Sequence, residues 1–430
     1  MVNLSCLIVN VQASYGYDST RESAFFTVSL RAAITYSTHE FFMSFSKKNN
    51  GKQGLNSLAV HAGTIIDPRY RGVNTPVHPS TAIGFLNGYG SIPYPRNHTI
   101  PNHDAVAEKI AALEGGESAL VLATGMSAIT AGILTAVRPG EHVLMQRNIY
   151  GGTRALVDIL RYKHNIGVTL IDTMVPDELE NNMSGDTVLV YMETPTNPLL
   201  DIIDIEPVTQ WAKDNRILTM IDNTFASPVN QRPLELGCDI VMHSATKYLS
   251  GHSDLMAGAL ISNDDFIERS RKLSSIYGMS LNAVDLSLLE RSMKTLGVRV
   301  KQQNENAMTI ATWLSKHPSI SRVHYPGLPS HPGHDIARKQ MSGFGGMMSF
   351  ELAGTDTHFR DAFLEKLSMI AVATSLGGVE STMTVPIQTS HNLLSEEERN
   401  TLGIHDMLIR FSIGIEDAND LIHDLEQALQ

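Results

Sequence analysis

Between residues 119 and 262, short apolar runs recur with helix-length gaps between them, and this alternation limits the chain more than any other feature. The runs at 119–123, 141–146, 168–172, 187–193, 217–222, 239–243 and 257–262 read as strands. Strands that alternate with helices predict an α/β fold with a mostly parallel, helix-covered sheet. In such a sheet, ligand-binding residues gather at the carboxyl ends of the strands.

Two of those ends carry residues with chemical potential. The sixth run leads into His243-Ser-Ala-Thr-Lys247-Tyr-Leu-Ser-Gly-His-Ser-Asp254, which sets Lys247 among small and hydroxylated residues with no acidic neighbour beside it. That placement suits a desolvated amine able to condense with an aldehyde cofactor, with Ser244 and Thr246 available to a phosphate. A strand-end lysine reaching out to solvent is the alternative. The fifth run ends in Asp222, followed by Asn223, Thr224 and Phe225. A buried carboxylate needs a positive partner. In a pyridoxal-phosphate enzyme that partner is the protonated pyridine nitrogen. Asp222 as a helix N-cap is the competing reading. Both residues on consecutive strand ends favour a cofactor.

The first run passes through Thr124 into Gly125-Met126-Ser127, the pattern of a strand, a tight turn and a helix. Free amides at a helix start bind phosphate, and Gly125 lets the backbone approach closely. Many such turns bind nothing. Tyr150, beside Gly151 and Gly152, could stack on a flat ring or could be a half-buried structural tyrosine. Arg410 lies in an apolar strand-like run, where an unpaired guanidinium is costly. A bidentate α-carboxylate ligand or an internal Asp or Glu would resolve that cost.

These segments together resemble the Cys/Met-metabolism (transsulfuration) family of type I pyridoxal 5'-phosphate (PLP) enzymes, which includes cystathionine β-lyases, γ-synthases and γ-lyases and methionine γ-lyases. The similarity runs from about His61 to the C-terminus, and the family signature is matched throughout 239–258. The resemblance implies an aspartate aminotransferase-like fold, with a seven-stranded sheet and a smaller C-terminal α/β domain. It implies Lys247 as the Schiff-base lysine and Asp222 against the pyridine nitrogen. Gly125, Met126, Ser244 and Thr246 would bind phosphate, Tyr150 would stack on the ring, and Thr224 would lie near it. Glu193 and Asn197 would sit at the cofactor edge, and Arg410 with Ser375 would hold the substrate carboxylate. Tyr94 and Arg96 match the family's Tyr-x-Arg, which enters a neighbouring subunit's site. The implied assembly is therefore a homo-oligomer, usually a tetramer. Lys247 would carry the Cα proton, with Tyr94 or Tyr150 helping the leaving group.

Departures from the family bear on the substrate, a sulfur-containing amino acid. Gly152 stands where methionine γ-lyases usually place a cysteine, and Thr374 where many γ-synthases and γ-lyases carry a glutamate. The expectation is β-elimination of cystathionine to homocysteine, pyruvate and ammonia. The alternatives are a γ-synthase, a γ-lyase, or a catalytically idle relative kept for binding. Asn97-His98-Thr99 departs from the family at a further place.

Composition sets outer limits. A net charge of −12 argues against nucleic acid, and no apolar run approaches a membrane span. Two cysteines, Cys6 and Cys238, suggest a reducing, cytoplasmic setting without disulfides. Residues 1–54 lack clean periodicity and read as a disordered or non-native extension, with Met43 a candidate start. An extended, Pro- and Gly-rich arm contacting a neighbouring subunit is expected over 55–110, a large PLP-binding domain over 111–300 and a second domain over 301–430. One long helix is expected over 282–299, strands over 347–351 and around Arg410, and a last amphipathic helix over 417–430.

Overall fold

The computed structural model describes residues 53–84, 92–392 and 395–430. The readings on 1–52, including Cys6 and Met43, lie outside them. Seven strands form the larger sheet: β1 (Ser118–Leu122), β2 (His142–Gln146), β3 (Gly167–Ile171), β4 (Thr187–Glu193), β5 (Leu218–Asp222), β6 (Ile240–His243) and β7 (Gly258–Ser262). Their order is β1-β7-β6-β5-β4-β2-β3, and only β7 runs antiparallel to its neighbours. Each expected strand is present with its ends displaced by a residue or so.

Both faces of this sheet are apolar, as a helix-covered sheet requires. Val121, Leu144, Val190, Ile221 and Val241 join one buried cluster. Leu120, Leu122, Met145, Leu189, Met220 and Met242, from the alternate positions, join another. Each such side chain is worth roughly 1.5–3 kcal/mol when removed from water, so the strand ends rest on a stiff base. Glycine is required where elements approach closely. A Cβ on Gly258 of β7 would lie 2.0 Å from the Thr124 carbonyl oxygen, so glycine alone lets β7 pass the turn after β1.

The second sheet contains β8 (Ile320–His324), β9 (Met347–Leu352), β10 (Ala371–Val372), β11 (Thr382–Thr384) and β12 (Leu408–Ser412), in the order β10-β11-β12-β9-β8. Its core includes Phe350, Phe363, Ile409, Phe411 and Leu425, the last from the expected C-terminal helix, Ala418–Leu429.

Two expectations change. The segment 55–110 is not simply extended: it holds a helix at Leu55–His61 and most of another at Pro101–Glu114. Pro101 presets the first turn, and Val106, Ile110 and Leu113 form a buried stripe at helical spacing. The buried Lys109 Nζ donates to the carbonyls of Ala59 (3.1 Å) and Val60 (3.4 Å), tying the two helices together. The expected helix over 282–299 is two, Ala283–Met293 and Leu296–Leu314. Asn282 caps the first through Oδ1, which accepts from the amides of Val284 and Asp285. The buried stripe Leu286, Leu289, Met293, Leu296, Val300 continues across the break, so periodicity alone does not reveal it.

Candidate active site

A cavity of about 530 Å³ opens at the carboxyl ends of the parallel strands. Its lining includes Lys247, Asp222, Tyr150, Gly125, Met126, Ser244, Thr246, Thr224, Arg410, Ser375, Asn197 and Glu193. Of the candidate site residues, only Tyr94 and Arg96 lie outside it. Both are exposed. The Arg96 guanidinium stands 5.6 Å from the Tyr94 ring centroid and donates to the Ser275 carbonyl at 2.9 Å.

Thr124 starts the helix Gly125–Ala136, and its Oγ1 accepts from the Ser127 amide at 3.0 Å. Gly125 and Met126 are the first helical residues, whose amides have no intrahelical acceptor. A Cβ on Gly125 would meet Ser244 Cβ at 2.8 Å, so the glycine brings the Ser244 hydroxyl against the helix start. The Ser244 amide donates to Thr224 Oγ1 at 2.8 Å. Thr246 lines the same cavity. Its hydroxyl already exchanges hydrogen bonds with the backbone of Ala257, at 3.0 and 3.2 Å, and so braces the loop.

The strand ends of β4 and β5 place two carboxylates side by side, with Glu193 in register with Asp222. Asp222 is 7% exposed and Glu193 4%. Burial, and then the Asp222 charge, push Glu193 up to about 8. Burial also raises Asp222, against opposing hydrogen bonds from Thr224 and the nearby His243. Glu193 lines the cavity and accepts from the amides of Tyr150 (2.9 Å) and Asn197 (3.1 Å), so it also holds two lining residues in place. Asp222 accepts from the Thr224 amide at 3.0 Å.

On the opposite side, Arg410 sits mid-strand in β12, 5% exposed. Its guanidinium donates to Asn197 Oδ1 and to the Ser375 carbonyl, both at 3.0 Å. Among the described residues it has no carboxylate partner, so an internal ion pair does not account for it. Lys247 Nζ donates to Ser375 Oγ at 2.6 Å. Burial, and then the Arg410 charge, lower that amine to about 8. Ser375 therefore links the two cations, and it does so at φ +71°, a conformation costly for a residue with a side chain. Strain of this kind, on the order of 1–3 kcal/mol, collects where a site holds its residues in place.

The family described as "Cys/Met metabolism PLP-dependent enzyme" matches residues 56–430. The chain belongs to that family.

Its relatives include the cystathionine β-lyase of Coxiella burnetii, 40% identical over 389 residues, which span 89% of this chain and 99% of the relative. The L-methionine γ-lyase of Fusobacterium nucleatum subsp. polymorphum is also 40% identical, over 88% of this chain and 98% of the relative. A crystal structure of cystathionine γ-synthase from Xanthomonas oryzae pv. oryzae superposes with a TM-score of 0.84 at 38% identity, covering 88% of this chain and 98% of the other. Membership in this family makes the chain an enzyme of PLP-dependent Cys/Met metabolism, with the α/β fold expected from its sequence. Among the described residues, no helix is long and apolar enough to cross a membrane.

The residues present fit the family's cofactor. Among the described residues no lysine or arginine pairs with the buried carboxylates of Asp222 and Glu193, which suits a cationic ring nitrogen at Asp222. The open helix start beside Ser244 suits a phosphate. Several lining residues carried no signal in the sequence. Thr389 and Ser390, after the short turn Pro386–Gln388, reach the cavity only through the path of the second sheet. Gly151 gave a faint sign: a Cβ there would meet the Ser390 carbonyl oxygen at 2.6 Å.

Proposed function

We propose that this chain is a PLP-dependent carbon–sulfur lyase whose preferred reaction is β-elimination of cystathionine to homocysteine, pyruvate and ammonia. The observation that carries the reading is Arg410, a buried guanidinium with only neutral partners, joined through Ser375 to the amine of Lys247. An α-carboxylate would complete the Arg410 fork, and Asn197 and Ser375 would orient it. This would hold the substrate Cα beside Lys247 Nζ. With its pKa near 8, roughly a tenth of that amine is neutral at pH 7, against well under a hundredth for an ordinary lysine. The neutral amine would take the Cα proton. PLP, held by Lys247, Asp222, Gly125, Met126, Ser244, Thr246 and Thr224 with Tyr150 against its ring, would supply the electron sink for the charge left at Cα. As the Cβ–S bond breaks, Tyr150, whose side chain is exposed at the cavity, would give a proton to the leaving sulfur.

Two observations favour β- over γ-chemistry. Thr374 lines the cavity where a glutamate would meet a distal ammonium, and among the described residues the ionisable Asp, Glu, Lys and Arg side chains of the lining are Glu193, Asp222, Lys247 and Arg410. A Cβ on Gly152 would meet Tyr150 Cε1 at 2.5 Å and Met126 Sδ at 2.9 Å, so the Tyr150 ring occupies the space a cysteine side chain would need. The γ-synthase and γ-lyase readings are retained because relatives of both names match the chain about equally well.

Tyr94 and Arg96 belong to the same proposal as residues supplied to a neighbouring subunit of a homo-oligomer, a tetramer by the family resemblance. Support comes from their exposure and their position outside this chain's own cavity. The segment would then act as the N-terminal arm, followed by the PLP-binding and C-terminal domains. A product assay tests the reaction. Incubated with cystathionine, the enzyme should release pyruvate. Release of 2-oxobutyrate would reassign it as a γ-lyase, and synthesis of cystathionine from an O-acyl-homoserine and cysteine as a γ-synthase.

A further inference from the structure

Outside the lining of the cavity, next to the ends of β4, β5 and β6, lies a buried polar cluster to which the proposed reaction assigns no step. Glu114, the last residue of the helix Pro101–Glu114, is fully buried. Its Oε1 accepts from His243 Nε2 in a short contact and from Asn223 Nδ2 at 2.9 Å, while Oε2 has no partner among the described residues. The Asn223 amide also donates to the Gln231 carbonyl at 2.9 Å. Gln231 Nε2 in turn donates to Asn223 Oδ1 at 3.0 Å and to the Thr194 carbonyl at 3.1 Å. His243, Asn223 and Gln231 are all at most 2% exposed.

Each end of this cluster adjoins a residue that lines the cavity. Asn223 lies between Asp222 and Thr224, His243 precedes Ser244, and Thr194 follows Glu193. Three neighbouring strands, β4, β5 and β6, are therefore cross-tied at their carboxyl ends by one carboxylate and two amides. A buried carboxyl group with an unused oxygen is costly, and among the described residues only His243 and Asn223 bond to it. A tie of that cost fits a demand for fixed spacing above it.

We infer that Glu114 is a positioning residue for the cofactor: acting through His243 and Asn223, it sets the spacing between Asp222 and Ser244. The inference rests on the proposed cofactor roles of those two residues. Arg410, Asn197 and Ser375 bond outside this cluster, so it makes a divided prediction: cofactor retention should depend on Glu114 and substrate capture should not.

Glu114→Ala in the full-length enzyme tests it. Expected are a cofactor dissociation constant about tenfold or more above wild type, the loss set by charge-assisted hydrogen bonds, a lower kcat, and an unchanged KM. Glu114→Gln, which keeps an acceptor at Oε1, should recover part of the affinity. Cofactor affinity within twofold of wild type in Glu114→Ala, or a KM that rises in step with the affinity loss, would overturn the inference. If Glu114→Ala does not fold, Glu114→Gln decides: a cofactor constant raised at least threefold at wild-type KM supports positioning, and an unchanged constant refutes it. Lys247→Ala separates this from the underlying reading. If that variant keeps the wild-type visible band, the cofactor site itself is misassigned. If it loses the band while Glu114→Ala matches wild type, only the positioning role fails.

Discussion

The floor and the rim of the cavity are built differently. The floor comes from the ends of β4, β5 and β6 and the start of the helix after β1, elements locked together by two apolar layers. Its polar groups are held by partners within the chain: Asp222 by Thr224, Ser244 by Thr224, Glu193 by Tyr150 and Asn197. The rim is assembled from loops and from the second sheet, with Arg410 and Lys247 meeting at a strained serine. Tyr94 and Arg96, which the family resemblance assigns to the site, stand away from it. A rigid floor can fix a cofactor and so fix the class of chemistry. A rim made of separate pieces is where closely related enzymes can diverge in substrate, and relatives of four different names match this chain at similar identity.

The largest effect should come from the point where floor and rim meet. Lys247→Ala should lower turnover by at least about 10³-fold, because a general base alone contributes 10²–10⁴, and should abolish the visible absorbance of the purified protein. Steady-state kinetics and a spectrum check both. Residual turnover near wild type would remove Lys247 from the chemistry.

Arg410→Lys probes the rim alone. A point charge cannot reproduce the fork, so kcat/KM should fall by about a hundredfold or more, mostly through KM, with the visible spectrum unchanged. Arg410→Met should lose substrate binding yet unfold at the same temperature or higher, since a buried guanidinium with neutral partners costs stability. Melting well below wild type would show that Arg410 is structural.

A mixing experiment asks whether the rim is shared. Arg96→Ala and Lys247→Ala should each be nearly inactive, and unfolding and refolding them together should restore about a quarter of wild-type activity, because half of the dimers are hybrids with one intact site of two. No recovery would place Arg96 in its own chain's site, and an Arg96→Ala variant active by itself would place it outside the reaction.

The same division separates what the sequence makes legible from what it hides. Strands β1 to β7 are readable because each is a short apolar run between helix-length gaps, and Asp222 and Lys247 because charged residues at such ends need an explanation. The break after Met293 is hidden because the buried stripe keeps its period across it. Thr389 and Ser390 are hidden because ordinary polar residues acquire a role only through the path of the second sheet. Glu114 and His243, 129 positions apart, are invisible to any local pattern, and so is the covering of Gly152 by the Tyr150 ring. Local signals reveal the floor, and contacts distant in sequence make the rim and its supports.

The smallest effect concerns the floor before the cofactor is bound. Burial and the Asp222 charge hold Glu193 protonated up to about pH 8, whereas the unfolded chain releases that proton near 4.5. Between those values Glu193 alone gives the folded apoprotein one more proton than the unfolded chain, so its own contribution to stability should fall as pH rises through this window. Burial of His98, His331 and His391, lowered to about 4, acts in the reverse sense below about 6.5 in wild type and mutant alike. Lys109 and Lys247, both lowered to about 8 by burial, act in the reverse sense, but only above that window, as the unfolded amines retain protons to about 10.5. Glu193→Gln removes the titrating group and leaves one oxygen to accept from two amides. Its denaturant midpoint should lie slightly below wild type at pH 5, cross it, and stand above it by pH 8, because the mutant line is flatter. Parallel lines would mean that Glu193 does not take up the extra proton and that burial raises Asp222 instead. The carboxylate opposite the ring nitrogen would then be neutral in the empty site, and it would have to ionise as the cofactor arrives.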